Sequence, residues 1–263
     1  MKSKSLFFNF LFSFLGGLLL IFIVLPLVAT LLGTSPEQFW QALTDAETLR
    51  SFALTFAAAA AATAFALLTG VPLAYLLARR QFRGKRLVEA LVNLPIIIPH
   101  TAAGIALLLV FGRRGLLGQW FTPLGVAFTD NFLGIVVGML FVSLPFLVNM
   151  SRESFALVDE ELERVALIDG ASAWQAFWHV TLPLAGRGVL GGAVMMWARG
   201  ISEFGAIVIL AYNPKIVPVL VYERFNGFGL GAAQPVAALL IVVSIAVFVL
   251  LRVALLPEKK LES

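Results

Sequence analysis

The chain has 263 residues, of which 60% are apolar and only 13% charged, against roughly 25% charged in a soluble domain, so a soluble globular domain is excluded. It contains no cysteine, which excludes disulfides and thiolate metal sites. Its net charge of +4 carries meaning through where the charges lie, not through their sum.

A bilayer core about 30 Å thick takes roughly 20 apolar residues per helix. Ser5 to Pro36 is uncharged and follows Lys2 and Lys4. It is far longer than the roughly 7–15 apolar residues of a signal peptide, which predicts a retained first span over about 7–33. In the loop behind it, TSPEQFWQALTDAETLR, Ser35 is a possible cap and Pro36 stands at the first helical position. Phe39, Trp40 and Leu43 fall on one side, the pattern of a short interfacial helix. Ser51 to Ala78 predicts a second span, 52–79, whose FAAAAAATAFALL core suits close packing in lipid. Ala90 to Gly112 predicts the third, 88–112, interrupted by Pro95 and Pro99. Asn131 to Ser151 predicts the fourth, 132–150, with Pro145 inside it. These three prolines are hinge candidates, with static packing as the bland alternative. Gly188 to Pro214 predicts the fifth, 186–211, and Phe225 to Leu251 contains the start of the sixth, 234–256.

Because the runs are continuous rather than alternating, a barrel is disfavoured. The expected fold class is an all-α integral membrane protein of six transmembrane helices, one domain over 1–263. On one side of the six spans lie Lys2, Lys4, the cluster Arg79 to Arg86, then Arg152, Arg164 and Arg187, and finally Arg252, Lys259 and Lys260. The other side holds only Arg50, Arg113, Arg114, Lys215 and Arg224. The positive-inside rule therefore puts both termini in the cytoplasm. The basic loop Arg79 to Arg86 serves topology and contact with anionic headgroups.

Residues 151–184, between spans four and five, then face the cytoplasm. Asp159, Glu160, Glu161 and Glu163 open this segment, and Leu162, Val165, Ala166 and Ile168 form an apolar stripe at near-helical spacing. Asp169-Gly170 reads as a helix end, since glycine accepts positive φ without strain. Ser172 with Gln175 is a capping-box pattern. A helix, a turn and a short second helix follow, with Leu182-Pro183 stopping or redirecting the chain. The short helix presents Trp174, Phe177 and Trp178, either as a peg for a cytosolic partner or as an anchor among headgroups.

Arg199 and Glu203 lie four apart inside the fifth run, on one helix face, where an intrahelical ion pair is the plain reading. His100 is expected to bond between helices rather than relay protons. With two histidines far apart in sequence, a histidine metal site is not expected. Gly134/Gly138 and Gly188/Gly192 allow close helix approach, in the bundle or between copies. Asn213, Tyr222, Glu223 and Arg224 flank the outer mouth. No G-x-x-x-x-G-K-[ST] occurs, so a nucleotide engine would reside on another polypeptide. Neither H-E-x-x-H nor G-x-S-x-G occurs, which argues against an intramembrane enzyme.

Ala166-x-x-x-Gly170, nine residues, then Val180-Thr181-Leu182-Pro183 resembles the EAA loop of ABC-importer permeases, E-A-A-x-x-x-G, nine residues, I-x-L-P. Arg164 stands where Glu is usual, Val165 replaces the first Ala and Val180 the Ile. LPIIIPHTAAGIALLLVFG, WARGISEFGAIVILAYNP and VLVYERFNGFGL resemble the molybdate/tungstate permease subunits of the archaeal-type branch, and the likeness runs from about Leu11 to Arg252. It implies a homodimer of six-helix subunits around a central path in the cytoplasmic membrane. Two ATPase subunits would sit on the cytosolic face, carrying the ATP and Mg, with no cofactor in this chain. An extracytoplasmic protein would deliver the oxyanion, and no nucleic acid is involved. The coupling residues it implies are Ala166, Gly170, Ala171, Ser172, Trp174, Gln175, Phe177, Leu182 and Pro183. Arg199 would line the path and offset the charge of a passing dianion, with Glu203 orienting it. The rival readings are a permease for another oxyanion such as sulfate, a stand-alone channel and an intramembrane enzyme.

Overall fold

The computed structural model describes residues 2–255, which are helical with connecting turns and contain no strand. Residues 256–263, with Lys259, Lys260 and the expected end of the sixth span at 256, lie outside them. The chain divides into two compact units, residues 1–49 with 221–243, and residues 50–220 with 244–263.

In the first unit, α1 (Lys2–Leu32) is uncharged from Ser5 onward and keeps nearly all its apolar side chains from Phe8 to Leu32 exposed, as a lipid-facing helix does. Ser35 caps α2 (Pro36–Thr44) in a full capping box with Gln38, and Pro36 fills the first helical position. Asp45 then serves two helices. Its N–H closes α2 on Gln41, and its carboxylate accepts the N–H of Thr48 in the first turn of α3 (Ala46–Arg79). The helix expected from 52 thus begins at 46, because a capping carboxylate replaces a loop. Hydrogen bonds from the Thr48 hydroxyl (2.7 Å) and N–H (2.9 Å), with Arg224 2.6 Å away, hold the Asp45 carboxyl below its usual range.

In the second unit, α3 presents Ala58, Ala59, Ala62 and Ala66, all buried, as a smooth seam. The third apolar run is not one straight span. It forms α4 (Lys85–Ile97) and α5 (His100–Phe111), bent by 115°. Pro99 supplies no N–H and drives Ile98 to an extended conformation (φ −70°, ψ 133°), which ends α4. Pro95 lies inside α4 and is buried. After the short α6 (Gly118–Phe121), Asn131 caps α7 (Phe132–Leu157), which stays helical through Pro145. The short helices α8 (Glu160–Ile168) and α9 (Ala173–Ala176) follow.

Leu182-Pro183 does not stop the chain. α9 passes through a π-turn (Phe177–Thr181) into α10 (Leu182–Ile201), with Pro183 in the first turn of α10. The wider π spacing accommodates a residue that has no N–H and a bulky ring. The fifth run also ends earlier than the expected 211. Ser202 closes α10, a turn follows, and α11 (Ile207–Leu210) is a single buried turn wedged against α5 and α7 through Leu107, Val142, Ala206 and Leu210. α7 and α10 pack extensively. A Cβ on Gly192 would stand 3.1 Å from the Met150 Cβ, and one on Gly188 would overlap the Ser154 hydroxyl. This glycine pair is therefore used within the bundle. α12 (Val217–Phe228) and α13 (Leu230–Leu255) join at Gly229, φ +80°.

Among the described residues, five helices are long and apolar enough to cross a membrane, and the bent α4/α5 pair makes a sixth if it crosses as one span.

Candidate functional site

Two clusters in the second unit carry chemistry. The first grows from α8. The Asp159 side chain caps its N-terminus by accepting the Glu161 N–H, and three glutamates in the first turn complement the helix dipole. At the other end Gly170 (φ +93°) donates to Leu167 O at 3.2 Å, and Ala171 donates to Ala166 O at 2.9 Å. These two bonds are a Schellman closure, which explains Gly at 170 and places small residues at 166 and 171 where the chain doubles back. Ser172 starts α9. Its hydroxyl accepts the Gln175 N–H and its own N–H donates to Gln175 Oε1, a complete capping box. The turn encloses a groove of about 380 Å³ lined by Ala166, Gly170, Ala171, Gln175, His179 and Val180 among others.

The stripe Leu162, Val165 and Ile168 points outward, with Ile168 83% exposed, while the acidic Glu163 turns inward. Trp174 is 69% and Trp178 47% exposed. Phe177 is half-buried and instead stacks edge-on to Tyr75 at 5.0 Å and lies 6.0 Å from Phe155. Only the two tryptophans project, and Phe177 anchors the element to the bundle.

Glu163 turns inward because its partners are there. Oε1 accepts from Arg79 Nε (2.9 Å), Arg79 Nη2 (2.8 Å) and Thr181 Oγ1 (2.8 Å), and Oε2 accepts from the Tyr75 hydroxyl (3.0 Å). In the sequence Glu163 reads as one acid in a run and Arg79 as a topology charge. The available signal was the neighbouring position: beside Arg164, which stands where Glu is usual, 163 carries a carboxylate. Arg164 itself is exposed and pairs with Glu160 and Glu161.

The second cluster joins two helix breaks. Arg199 Nη2 lies 3.0 Å from Glu203 Oε2, and His100 Nδ1 lies 2.9 Å from the same oxygen. Arg199 Nη2 is also 3.0 Å from each ring nitrogen of His100. Glu203 is fully buried, and its Oε1 accepts the Ala206 N–H at 2.8 Å, so it caps the turn after α10. The Arg199 and His100 side chains are 23% and 34% exposed. A Cβ on Gly205 would come within 2.7 Å of the His100 Cβ, and one on Gly104 within 2.8 Å of Ala206 O. Only glycine lets the 202–206 turn approach the start of α5 this closely. Irregular backbone at membrane depth is tolerated where protein or a water-filled path satisfies it, and here a buried carboxylate, a partly exposed guanidinium and a partly exposed imidazole meet at such a break.

The Arg199–Glu203 ion pair is present as expected, and His100 does bond between helices. Pro99 sits at the bend itself, while Pro95 and Pro145 lie inside helices. The residues expected to couple, within 166–183, follow one another through the end of α8, α9, the π-turn and the start of α10. Arg199 stands about 24 Å further along α10, at 1.5 Å per residue. Towards the C-terminal end of α7, α4 and α7 are tied by Asn149 Nδ2 to Asn93 Oδ1 (2.6 Å) and by Arg152 to Glu89 (3.0 Å). Of the residues expected at the outer mouth, the Asn213 N–H donates to Asp130 in the second unit. Arg224 pairs with Asp45 and Glu47 in the first. Among the described residues no group of three or more metal-ligating side chains is assembled.

Residues 70–262 match the family of the binding-protein-dependent transport system inner membrane component, and the chain belongs to that family. It is 42% identical over 245 residues to the molybdate/tungstate transport system permease protein WtpB of Thermococcus kodakarensis, covering 92% of this chain and 94% of that one. It is 44% identical over 243 residues to WtpB of Pyrococcus furiosus, covering 92% of each. The sulfate transport system permease protein CysT of Synechocystis is 34% identical over 240 residues, covering 89% of this chain and 84% of that one. In fold, the chain superposes on a bacterial ABC transporter involved in import of the acidic polysaccharide alginate, with a TM-score of 0.74, 18% identity and 95% of each chain covered. The MetNI methionine ABC transporter matches with a TM-score of 0.61 at 18% identity, over 84% of this chain and 95% of that one.

Proposed function

We propose that this chain is the membrane-spanning permease subunit of an ABC importer that moves molybdate or tungstate across the cytoplasmic membrane. The identities above 40% to molybdate/tungstate permeases, against 34% to a sulfate permease, support that class of cargo. In this reading two copies of the chain surround the path and two ATPase subunits bind ATP and Mg on the cytosolic face. An extracytoplasmic protein delivers the oxyanion. Both termini and residues 151–184 lie on the cytosolic side.

The observation that carries the coupling role is the capped helix–turn–helix whose apolar residues, Leu162, Val165, Ile168 and Trp174, face away from the bundle. Exposed apolar side chains on a rigid, doubly capped element fit a partner's groove. Closure of the ATPase pair would push this element, and the π-turn would transmit the push into α10, which carries Arg199. Arg199 presents positive charge to the path while Glu203 holds it in place, so the anion is attracted without being trapped.

The test is uptake into proteoliposomes holding the permease, its ATPase and its binding protein. ATP-dependent accumulation of tungstate and molybdate, with sulfate at least tenfold slower, is expected. Preferential sulfate uptake would overturn the assignment of cargo, and uphill uptake by the permease alone would overturn the coupled mechanism.

A further inference from the structure

The carboxylate of Glu163 and the guanidinium of Arg79 bring together four elements that the chain itself connects only in part. α8 follows α7 directly through Val158-Asp159, and α9 leads through the π-turn into α10. α3 lies far away in sequence, yet Arg79 in its last turn contacts the end of α7 and Glu163 of α8, and through Glu163 it meets the π-turn. Its Nη2 donates to the Val158 carbonyl (2.9 Å), an acceptor at the C-terminus of α7 that the helix itself leaves open. Its Nε and Nη2 both fall on Glu163 Oε1 of α8. That oxygen also accepts from Thr181 in the π-turn, and Tyr75, one turn earlier on α3, holds the other. The Tyr75 ring packs against both Phe155 of α7 and Phe177 of the π-turn, at 5.6 and 5.0 Å. The Arg79 and Glu163 side chains are 6% and 14% exposed, and Thr181 is fully buried.

A buried ion pair is a poor route to stability alone, since apolar residues of the same volume serve as well or better. Its distinctive property is fixed geometry, because a guanidinium and a carboxylate lock each other's direction through several charge-assisted bonds. We propose that the Arg79–Glu163 pair, with Tyr75 and Thr181, is the positioning joint through which movement of the coupling helices is delivered to α3 together with α7 and α10. This deepens the proposed function and rests on it. Without the joint the coupling helices still dock, yet their displacement reaches the path through α7 and α10 alone.

The experiment measures three quantities in the complex of permease, ATPase and binding protein: assembled yield, ATP hydrolysis without binding protein, and tungstate taken up per ATP in its presence. Glu163→Gln and Arg79→Gln are expected to assemble to at least half the wild-type yield and to keep unstimulated hydrolysis within twofold. Tungstate per ATP should fall at least tenfold, with Arg79→Lys recovering part of it. An assembled Glu163→Gln complex whose tungstate-to-ATP ratio stays within twofold of wild type overturns the joint. If Glu163→Gln does not assemble, Tyr75→Phe decides, because it removes one hydroxyl and keeps the ring. A fall of about threefold in the ratio is then expected, and an unchanged ratio overturns the proposal. A wild-type chain that neither binds the ATPase nor takes up tungstate removes the functional reading and the joint with it. A fully active wild type with an unaffected Glu163→Gln removes the joint alone.

Discussion

At the scale of single residues, burial sorts roles that the sequence leaves equivalent. Trp174 and Phe177 both read as pegs, but only Trp174 projects. Trp174→Ala is expected to weaken co-purification with the ATPase at least tenfold while shifting the melting temperature by less than about 2 °C, as an exposed site should. Phe177→Ala should act through stability instead. A fully buried Phe costs about 3–5 kcal/mol on truncation, and this half-buried ring should cost roughly half of that, seen as a lowered melting temperature. Equal loss of binding and equal stability in the two variants would contradict the division.

Burial also sets the role of Arg199. Its positive charge is only partly exposed and is held by a carboxylate that has no access to water. Arg199→Ala in an assembled complex is expected to reduce tungstate uptake at least tenfold, with Arg199→Lys between it and wild type. Uptake within twofold of wild type would mean that the ion pair only holds α10 to α5.

Among the elements, the turn between α8 and α9 rests on one backbone conformation. Gly170 stands at φ +93° with nothing within 4 Å of an added Cβ, so substitution there meets strain and no clash. Gly170→Ala should cost about 1 kcal/mol through that strain, loosening the Schellman closure. Faster amide exchange at Gly170 and Ala171, with unchanged exchange in α7, is the expected signature. Gly104, Gly188 and Gly205 differ in kind, because there a side chain would collide with a neighbouring element. The breaks at Ile98-Pro99 and 202–206 also meet each other, since His100 at the start of α5 lies against Gly205 and bonds Glu203.

For the whole molecule, the central matter is which side of the membrane the coupling element occupies. The chain has no cysteine, so Trp174→Cys gives a single thiol. A membrane-impermeant thiol reagent should label it in inside-out vesicles and leave it untouched in right-side-out vesicles. The opposite pattern would place the helix–turn–helix outside and dismantle the coupling mechanism.

Much of this protein was legible in one dimension, because lipid imposes one-dimensional rules. Uncharged runs of more than about 20 residues mark helices that cross a bilayer. Gly170 and the Ser172/Gln175 box are local signals whose meaning depends only on neighbours within a few residues, and so are Ser35 and Pro36 ahead of α2. The Arg199–Glu203 pair was legible for the same reason, since four residues is one helical turn. Tertiary structure alone decided which way Glu163 faces, because its partners Tyr75 and Arg79 lie 88 and 84 residues away. It likewise decided that Pro99 bends the third run by 115° while Pro183 only widens a turn. A proline removes one N–H wherever it stands, and what packs around the freed carbonyl settles whether the helix breaks, widens or continues.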